Sequence, residues 1–148
     1  MEKIMFRTQY LIAASIATLF VASAPVFAQN SAPSSGHVIV VKLVVKGGSV
    51  PFGFEPASIT AQNGDTVRFV EEAGVMHNVH FKSHPSGAKL GAAAVGPYLT
   101  AKGQTYDVVI DSRFTSGKYE FVCDPHDMLG MHGVLTVSDG AVATNRAK

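Results

Sequence analysis

Three kinds of side chain that bind soft metal ions occur together in the eleven-residue segment CDPHDMLGMHG, residues 123–133. Cys123 is the only cysteine of the chain, His126 follows three positions later, and Met131 lies five positions beyond that histidine. Thiolate and thioether sulfur favour copper, zinc and iron–sulfur clusters, while imidazole binds many transition metals. The segment is therefore either a metal site or a loop in which sulfur and imidazole occur together by chance.

Short runs in which apolar and polar residues alternate account for most of the sequence between residues 37 and 138. They include PASIT (56–60), DTVRFV (65–70), HNVHF (77–81), TYDVVI (105–110), KYEFVC (118–123) and GVLTV (133–137). Turn-forming segments such as NGD and TSGK separate these runs, and no stretch has a persuasive helical period. Many short strands with turns about every 8–12 residues predict an all-β protein, specifically an antiparallel Greek-key β-sandwich.

Two further segments carry more specific expectations. HVIVVKLVVK (37–46) is β-branched and apolar at both sets of alternating positions, which predicts a strand covered on both faces. GAKLGAAAVG (87–96) is expected to contain a short turn of helix.

Alternation places a histidine and the cysteine at the ends of two inward-facing rows of side chains. His77 shares a strand face with Val79 and Phe81, and Cys123 shares one with Phe121. The loop after the cysteine contains proline and glycine and can return its histidine and methionine to the same point. Two histidines, one cysteine and a distant methionine match the trigonal site with a weak axial thioether that blue copper proteins use for electron transfer.

The sequence around the cysteine resembles a known family of copper proteins. The segment GKYEFVCDPHDMLGMHGVLTV (117–137) looks like the C-terminal strand–loop–strand of plastocyanins. FEPASITAQNGDTVRFV (54–70) and the later HNVHF resemble the earlier part of the same family. The spacing Cys-x₂-His-x₄-Met is similar to that of plastocyanin and pseudoazurin, and the resemblance covers about residues 38–138, so the fold it implies is that of a cupredoxin.

The resemblance implies one copper ion that alternates between Cu(I) and Cu(II). The implied metal ligands are His77, Cys123, His126 and Met131. Asn78 is expected to hydrogen-bond to the strand that carries the cysteine and to keep the site rigid. The chain departs from the family at Val122, where plastocyanins commonly carry an exposed tyrosine on a remote electron route beside acidic patches. Since no acidic run is present either, the resemblance leaves the use of that route open.

Other polar side chains near these positions have simpler explanations. One histidine alternates to the strand face opposite His77, another precedes a proline, and a third should point away from the site. The two aspartates of the loop are expected to be solvated charges. These expected surface residues are His80, His84, His132, Asp124 and Asp127.

The N-terminal residues have the layout of a secretory signal peptide. Lys3 and Arg7 give a positive start, Tyr10 to Ala24 is mostly apolar, and small residues surround a predicted cleavage after Ala28. The apolar run is shorter than the roughly 20 residues of a membrane-spanning helix and is broken by polar residues, so no span is expected. The predicted organisation is a signal peptide (1–28), a flexible leader (29–36), a cupredoxin domain (37–138) and a C-terminal tail (139–148).

The charge balance excludes some classes of partner. Cleavage would remove Glu2, Lys3 and Arg7, so that the 12 Lys and Arg and the 11 Asp and Glu of the chain become ten of each. A net charge near zero gives no basic surplus for nucleic acid. A single cysteine cannot form an internal disulfide, and in an exported protein it is either a liability or a functional group.

These observations predict an exported electron-transfer protein rather than an enzyme. It would be a monomer in the periplasm or an equivalent extracytoplasmic compartment, and it would shuttle one electron through a mononuclear type 1 copper site. Larger redox proteins would act as electron donor and acceptor and would dock transiently near His126, the expected electron port. A copper carrier or storage protein without electron turnover is the main alternative, and an immunoglobulin-like adhesion module with a chance ligand set is the second.

Overall fold

The structure is a computed structural model that describes residues 36–139. The predicted signal peptide, nearly all of the predicted leader and nearly all of the predicted tail lie outside the described residues. No helix in the described range is long and apolar enough to cross a membrane. The strands are β1 (Val38–Val45), β2 (Phe52–Glu55), β3 (Ser58–Gln62), β4 (Thr66–Glu71), β5 (His80–Ser83), β6 (Thr105–Val109), β7 (Gly117–Val122) and β8 (His132–Ser138). Two short 3₁₀ helices span Gly91–Ala94 and Asp124–Leu129, and the first of them confirms the predicted turn of helix.

The strands form two four-stranded sheets. The first has the order β2-β1-β4-β6 and the second the order β3-β8-β7-β5. The predicted all-β sandwich is confirmed, but both sheets are mixed, because β1 runs parallel to β4 and β3 runs parallel to β8. The alternation in each run predicts which side chains face inward. It carries no information on the direction of a neighbour that is distant in sequence.

Aromatic side chains from both sheets meet in the core. Phe54 and Phe69 from the first sheet both contact Phe121 from the second, edge to face, with ring centroids 4.8 and 5.4 Å apart. All three rings are buried, as is Tyr119 on the same face of β7. Rings of this size supply much of the apolar area that a small domain can bury. The inward-facing positions predicted for β4 and β7 are therefore confirmed.

The prediction that the first strand is covered on both faces is wrong. Val41 and Leu43 are fully buried, whereas Val40 on the opposite face is 45% exposed. Val38 on the same outer face is 54% exposed. β-Branched residues fit the pleated surface of a strand whether or not it is covered, and this explains why the apolar run was misleading.

The two faces of β1 can be compared with one substitution at adjacent positions. We expect Val41→Thr to lower the free energy of unfolding by about 1–3 kcal/mol, because it buries a hydroxyl group in the apolar core. Val40→Thr should change the free energy by no more than about 0.5 kcal/mol, since its hydroxyl group can be hydrated. Urea denaturation of both variants measures the difference, and equal effects would contradict the assignment of the two faces.

Candidate metal centre

The loop between β7 and β8 holds three of the four predicted ligands in a closed hairpin. The β7–β8 ladder reaches the pair Val122 and His132, and the next residues continue it with a hydrogen bond from the Cys123 N–H to the Met131 carbonyl, 3.1 Å. Inside this closure the His126 N–H donates to the Cys123 carbonyl at 2.9 Å, and the Met131 N–H donates to the His126 carbonyl at 3.2 Å. The 3₁₀ helix of the loop ends at Gly130, whose φ of 82° suits glycine. The backbone alone therefore keeps the three residues together.

His77 approaches the loop from a different part of the chain. It lies before β5, and its inward orientation is set by a pair of backbone hydrogen bonds with Leu99, 3.0 and 2.7 Å long. Its ring lies 4.8 Å from that of His126, centroid to centroid. The Nδ1 atom of His126 is in turn 3.4 Å from the Cys123 sulfur. The structure thus pairs His77 with His126 and His126 with Cys123, and the buried Met131 is tied to Cys123 and His126 through the backbone.

The ring of His77 is the unusual feature of this cluster. Its Nδ1 atom lies 2.8 Å from a carboxylate oxygen of Glu71, while Nε2 is buried without a hydrogen-bond partner among the described residues. Leaving a buried polar atom unpaired costs about 1–3 kcal/mol. Histidines that bind a metal with one nitrogen usually donate the other N–H to a carboxylate, a carbonyl or a water. The contact between the His77 ring and the carboxylate of Glu71 is compatible with such a role.

The donor types also fit a copper ion. A thiol, a thioether and two imidazoles suit a soft or borderline transition metal far better than a hard cation. Within residues 36–139 there is no group of three or more histidine, cysteine, aspartate or glutamate side chains arranged to hold a metal ion. The candidate centre therefore rests on the contacts between pairs of residues and on the unpaired nitrogen of His77.

Burial favours the neutral forms of two titratable side chains of the loop, Cys123 and His126. It raises the pKa of the Cys123 thiol, an effect that the backbone N–H groups of Asn78 and His126 only partly oppose. Burial also lowers the pKa of His126, and the neighbouring His77 adds to this effect. A neutral imidazole is ready to bind a metal, whereas the thiol must release its proton when a cation arrives.

Asn78 links the segment that contains His77 to the segment that contains Cys123, as predicted. Its side-chain oxygen accepts the backbone N–H of Asp124, and its side-chain nitrogen donates to a carboxylate oxygen of Asp124, each at 2.8 Å. Asp124 directly follows Cys123, so this paired contact fixes the residue next to the thiol relative to the residue next to His77. Such contacts hold metal-binding side chains in place.

The prediction that Asp124 is a solvated loop charge is wrong. Its carboxylate is only partly exposed and also lies 2.8 Å from Nδ1 of His80. Burial by itself would raise the pKa of Asp124, but the hydrogen bonds from Asn78 and His80 outweigh it and hold the pKa below its usual value. Asp127 is likewise not simply solvated, because it lies 2.7 Å from Nε2 of the exposed His132.

Comparison with known proteins identifies the family. A model described as copper binding proteins, plastocyanin/azurin family, matches residues 39–138. The chain belongs to this family. It is 40% identical over 101 residues to plastocyanin of Scenedesmus fuscus, a match that covers 67% of this chain and 98% of that protein. It is 33% identical over 133 residues to a chloroplastic plastocyanin of Tetradesmus obliquus, covering 88% of each chain.

A solved structure gives the same result for the fold. Pseudoazurin from Methylobacterium extorquens AM1 is 30% identical, with a TM-score of 0.51, and the match covers 69% of this chain and 76% of that one. The predicted resemblance to plastocyanin and pseudoazurin is therefore confirmed. Membership of the plastocyanin/azurin family implies copper-based electron transfer as the general class of function.

Two residues of this cupredoxin site were missed by the sequence reasoning. Glu71 continues the alternation of DTVRFV by one residue, so a charged side chain at the end of an inward-facing row was a usable signal. Phe52 gave no such signal, because its contacts are with distant parts of the chain. Its ring stacks on His126 with centroids 4.0 Å apart and meets His77 edge to face at 5.5 Å. Phe52 is therefore one source of the burial around both histidines.

The effect of this ring on His126 can be measured in the metal-free protein. We expect His126 to titrate below the ordinary value of about 6.5, because removing water from the imidazole disfavours its charged form. Phe52→Ala should raise the pKa of His126 towards that value by admitting water. Phe52→Tyr keeps the aromatic ring and should leave the pKa low. NMR of the histidine ring protons against pH gives all three values, and a wild-type pKa at or above the ordinary value would contradict the prediction.

Proposed function

We propose that this protein is an exported type 1 copper protein that carries one electron at a time between larger redox proteins. The observation that carries the proposal is that the ring of His126 lies 4.8 Å from that of His77, centroid to centroid, while its Nδ1 atom lies 3.4 Å from the sulfur of Cys123. These residues and Met131 would be the ligands of a single copper ion. The protein would act as a monomer in the periplasm or an equivalent compartment outside the cytoplasm.

Each side chain has a defined part in this proposal. Bound copper supplies the one-electron couple between Cu(II) and Cu(I). Cys123 would bind as a thiolate, so its thiol group would release a proton when the metal binds. The two imidazoles would suit both oxidation states, and the thioether of Met131 would be a weak donor. Because the backbone of the loop and the Asn78 contacts already fix these groups, little movement would accompany a change of oxidation state.

Burial favours the electron shuttle over a copper carrier or store. His77, Cys123 and Met131 are all fully buried, so these three side chains give a bound metal no direct contact with solvent. An electron needs no such contact, because it can pass through the exposed edge of the site. Plastocyanins are electron carriers, and we accordingly assign this chain no enzymatic activity and no catalytic residue.

A visible spectrum of the copper-loaded protein tests the proposed ligand set. The wild-type protein should show an intense blue band from charge transfer between the cysteine thiolate and Cu(II). Cys123→Ser should abolish this band, because a hydroxyl oxygen is a much harder donor than a thiolate. Met131→Leu should keep a coloured site, since it would remove only the weakest of the proposed donors. A pale wild-type spectrum would instead support the carrier, and a coloured Cys123→Ser protein would contradict the assignment of the thiolate.

The proposed docking surface is the apolar border of His126. Met128 is fully exposed at 100%, Leu129 is 45% exposed, and the side chain of Val50 lies beside Gly130 at the end of the same loop. The nearby charges partly neutralise one another, because the single positive charge of Lys82 lies 3.7 Å from Asp124 and 3.5 Å from Asp127. Apolar contact of this kind is suited to the small, weak interfaces of transient redox encounters.

This surface predicts how electron exchange responds to salt and to added charge. The rate of electron exchange with a redox partner should change only mildly with ionic strength, since long-range steering needs a charged patch. Met128→Glu or Leu129→Glu should slow the exchange by placing a charge in the apolar contact. Val40→Glu is the control, because it adds the same charge at an exposed position on the outer face of the first sheet. Stopped-flow kinetics at several salt concentrations would show a steep dependence if docking used a charged surface elsewhere.

A further inference from the structure

His132 is the first residue of β8, and its side chain is 57% exposed. Its backbone is fixed, because it pairs with Val122 of β7 and its N–H donates to the Gly130 carbonyl at 2.9 Å. Its ring reaches back to the loop that precedes it. The Nε2 atom lies 3.0 Å from the backbone carbonyl oxygen of Asp127 and 2.7 Å from a carboxylate oxygen of the same residue. One ring nitrogen of His132 therefore contacts two oxygens of a single loop residue.

The direction of this contact follows from the backbone oxygen of Asp127. A carbonyl oxygen can only accept a hydrogen bond, so the ring nitrogen that faces it must carry a hydrogen. This is true of the neutral ring protonated at Nε2 and of the charged ring alike, so the contact does not depend on the charge of His132. The same carbonyl also accepts the N–H of Gly130 at 2.9 Å, and its two lone pairs allow both hydrogen bonds.

The accepting carbonyl lies near the end of the 3₁₀ helix that contains His126. The last carbonyl groups of a helix have no partner within the helix, and the hydrogen bonds of a 3₁₀ helix have poorer geometry than those of an α-helix. The helix Asp124–Leu129 is only six residues long, so it has little stability of its own. Histidine side chains near the end of a helix can donate to these last carbonyls. His132 is such a donor, and it belongs to a strand that the core holds in place.

Asp127 is also held from the other side of the loop. Its second carboxylate oxygen lies 3.5 Å from Nζ of Lys82, which in turn lies 3.7 Å from the carboxylate of Asp124. Asp124 is hydrogen-bonded to Asn78. The contact of His132 therefore completes a series of five side chains joined by polar contacts. Each member except Lys82 directly follows one of the four proposed ligands in the sequence. The Lys82 ion pairs are partly exposed and individually weak, so the hydrogen bonds at the two ends define the series best.

We propose that His132 is a positioning residue of the electron-transfer site, which fixes the 3₁₀ helix of the loop and with it the ring of His126; this inference rests on the proposed function. His126 is partly exposed, unlike the other three proposed ligands. Met128 and Leu129 of the proposed docking surface lie on the same helix. A shift of this helix would move the imidazole edge and the docking surface together. Loss of the ring N–H of His132 makes such a shift easier, and electron transfer slows when a ligand must move with each change of oxidation state.

Three variants separate the hydrogen bond from the other properties of the side chain. His132→Leu removes the ring N–H, whereas His132→Gln keeps an N–H donor at about the position of Nε2. His84→Leu is the matched control. His84 is also an exposed histidine whose ring contacts a backbone carbonyl, that of Pro85 at 3.1 Å, but it lies outside the loop.

The first measurement needs no copper. The N–H groups of Gly130 and Met131 donate to the carbonyls of Asp127 and His126, so their hydrogen exchange reports opening of the helix end. In the metal-free protein we expect His132→Leu to speed this exchange at least threefold, while the amide groups of the first sheet stay unchanged. The other two variants should remain within twofold of the wild type. Equal exchange rates in His132→Leu and the His84→Leu control, followed by NMR, would overturn the positioning of the helix by His132.

The second measurement is electron self-exchange in the copper-loaded protein, in which one electron passes from a reduced molecule to an oxidised one and no bond is broken. NMR line widths in mixtures of the two forms give the rate. We expect His132→Leu to lower this rate at least threefold, and His132→Gln and the His84→Leu control to stay within twofold of the wild type. An unchanged rate in His132→Leu, or an equal loss in His132→Gln, would overturn the role of the ring N–H.

Failure of this inference can be distinguished from failure of the proposed function. Absence of the blue band in the copper-loaded wild type would contradict the proposed function. The exchange of the Gly130 and Met131 N–H groups in the metal-free protein would still test the contact between His132 and the helix. A blue wild type in which all variants exchange electrons at the same rate would overturn the inference alone.

Discussion

The pairing of β7 with β8 is the constraint on which the candidate centre depends. The ladder between these strands continues past their ends, so that the hydrogen bond from Cys123 to Met131 closes the loop that contains His126. A slip of one residue would turn the side chains of either strand to the opposite face. The core prevents such a slip at Phe121, which pairs with Gly133 and whose ring would lie 2.3 Å from any Cβ there. The packing of the core therefore also fixes the geometry of the candidate site.

The sequence carries the inward orientation of the site residues, but only part of their surroundings. Alternation correctly predicted that His77 and Cys123 are buried, because the side-chain period of a strand is a local property. It would also have shown Glu71, had the run DTVRFV been extended by one residue. Phe52 and the partners of Asp124 could not be predicted, because their contacts join segments that are far apart in the chain. The parallel pairs of strands were missed for the same reason.

Electrostatics explain how this site can exist before it binds a metal. Burial raises the pKa of Cys123 and lowers that of His126, so both groups are neutral in the metal-free fold at ordinary pH. The interior then contains no unpaired thiolate, which would be costly in the absence of a cation. A metal bound at the sulfur would reverse the balance, because the cation would compensate the charge that burial disfavours.

The centre divides into an inner half and an outer half with different physical roles. His77 lies in the inner half, held by Leu99 through its backbone and by Glu71 through its ring. His126 lies in the outer half, on a 3₁₀ helix, beside the exposed side chains of Met128 and Leu129. A rigid inner half limits the movement that a change of charge can cause. The outer half brings His126 near the surface, where Phe52 shields its ring without enclosing it. If the proposed ligands are right, a site built in this way would exchange an electron with a partner while they stay in place.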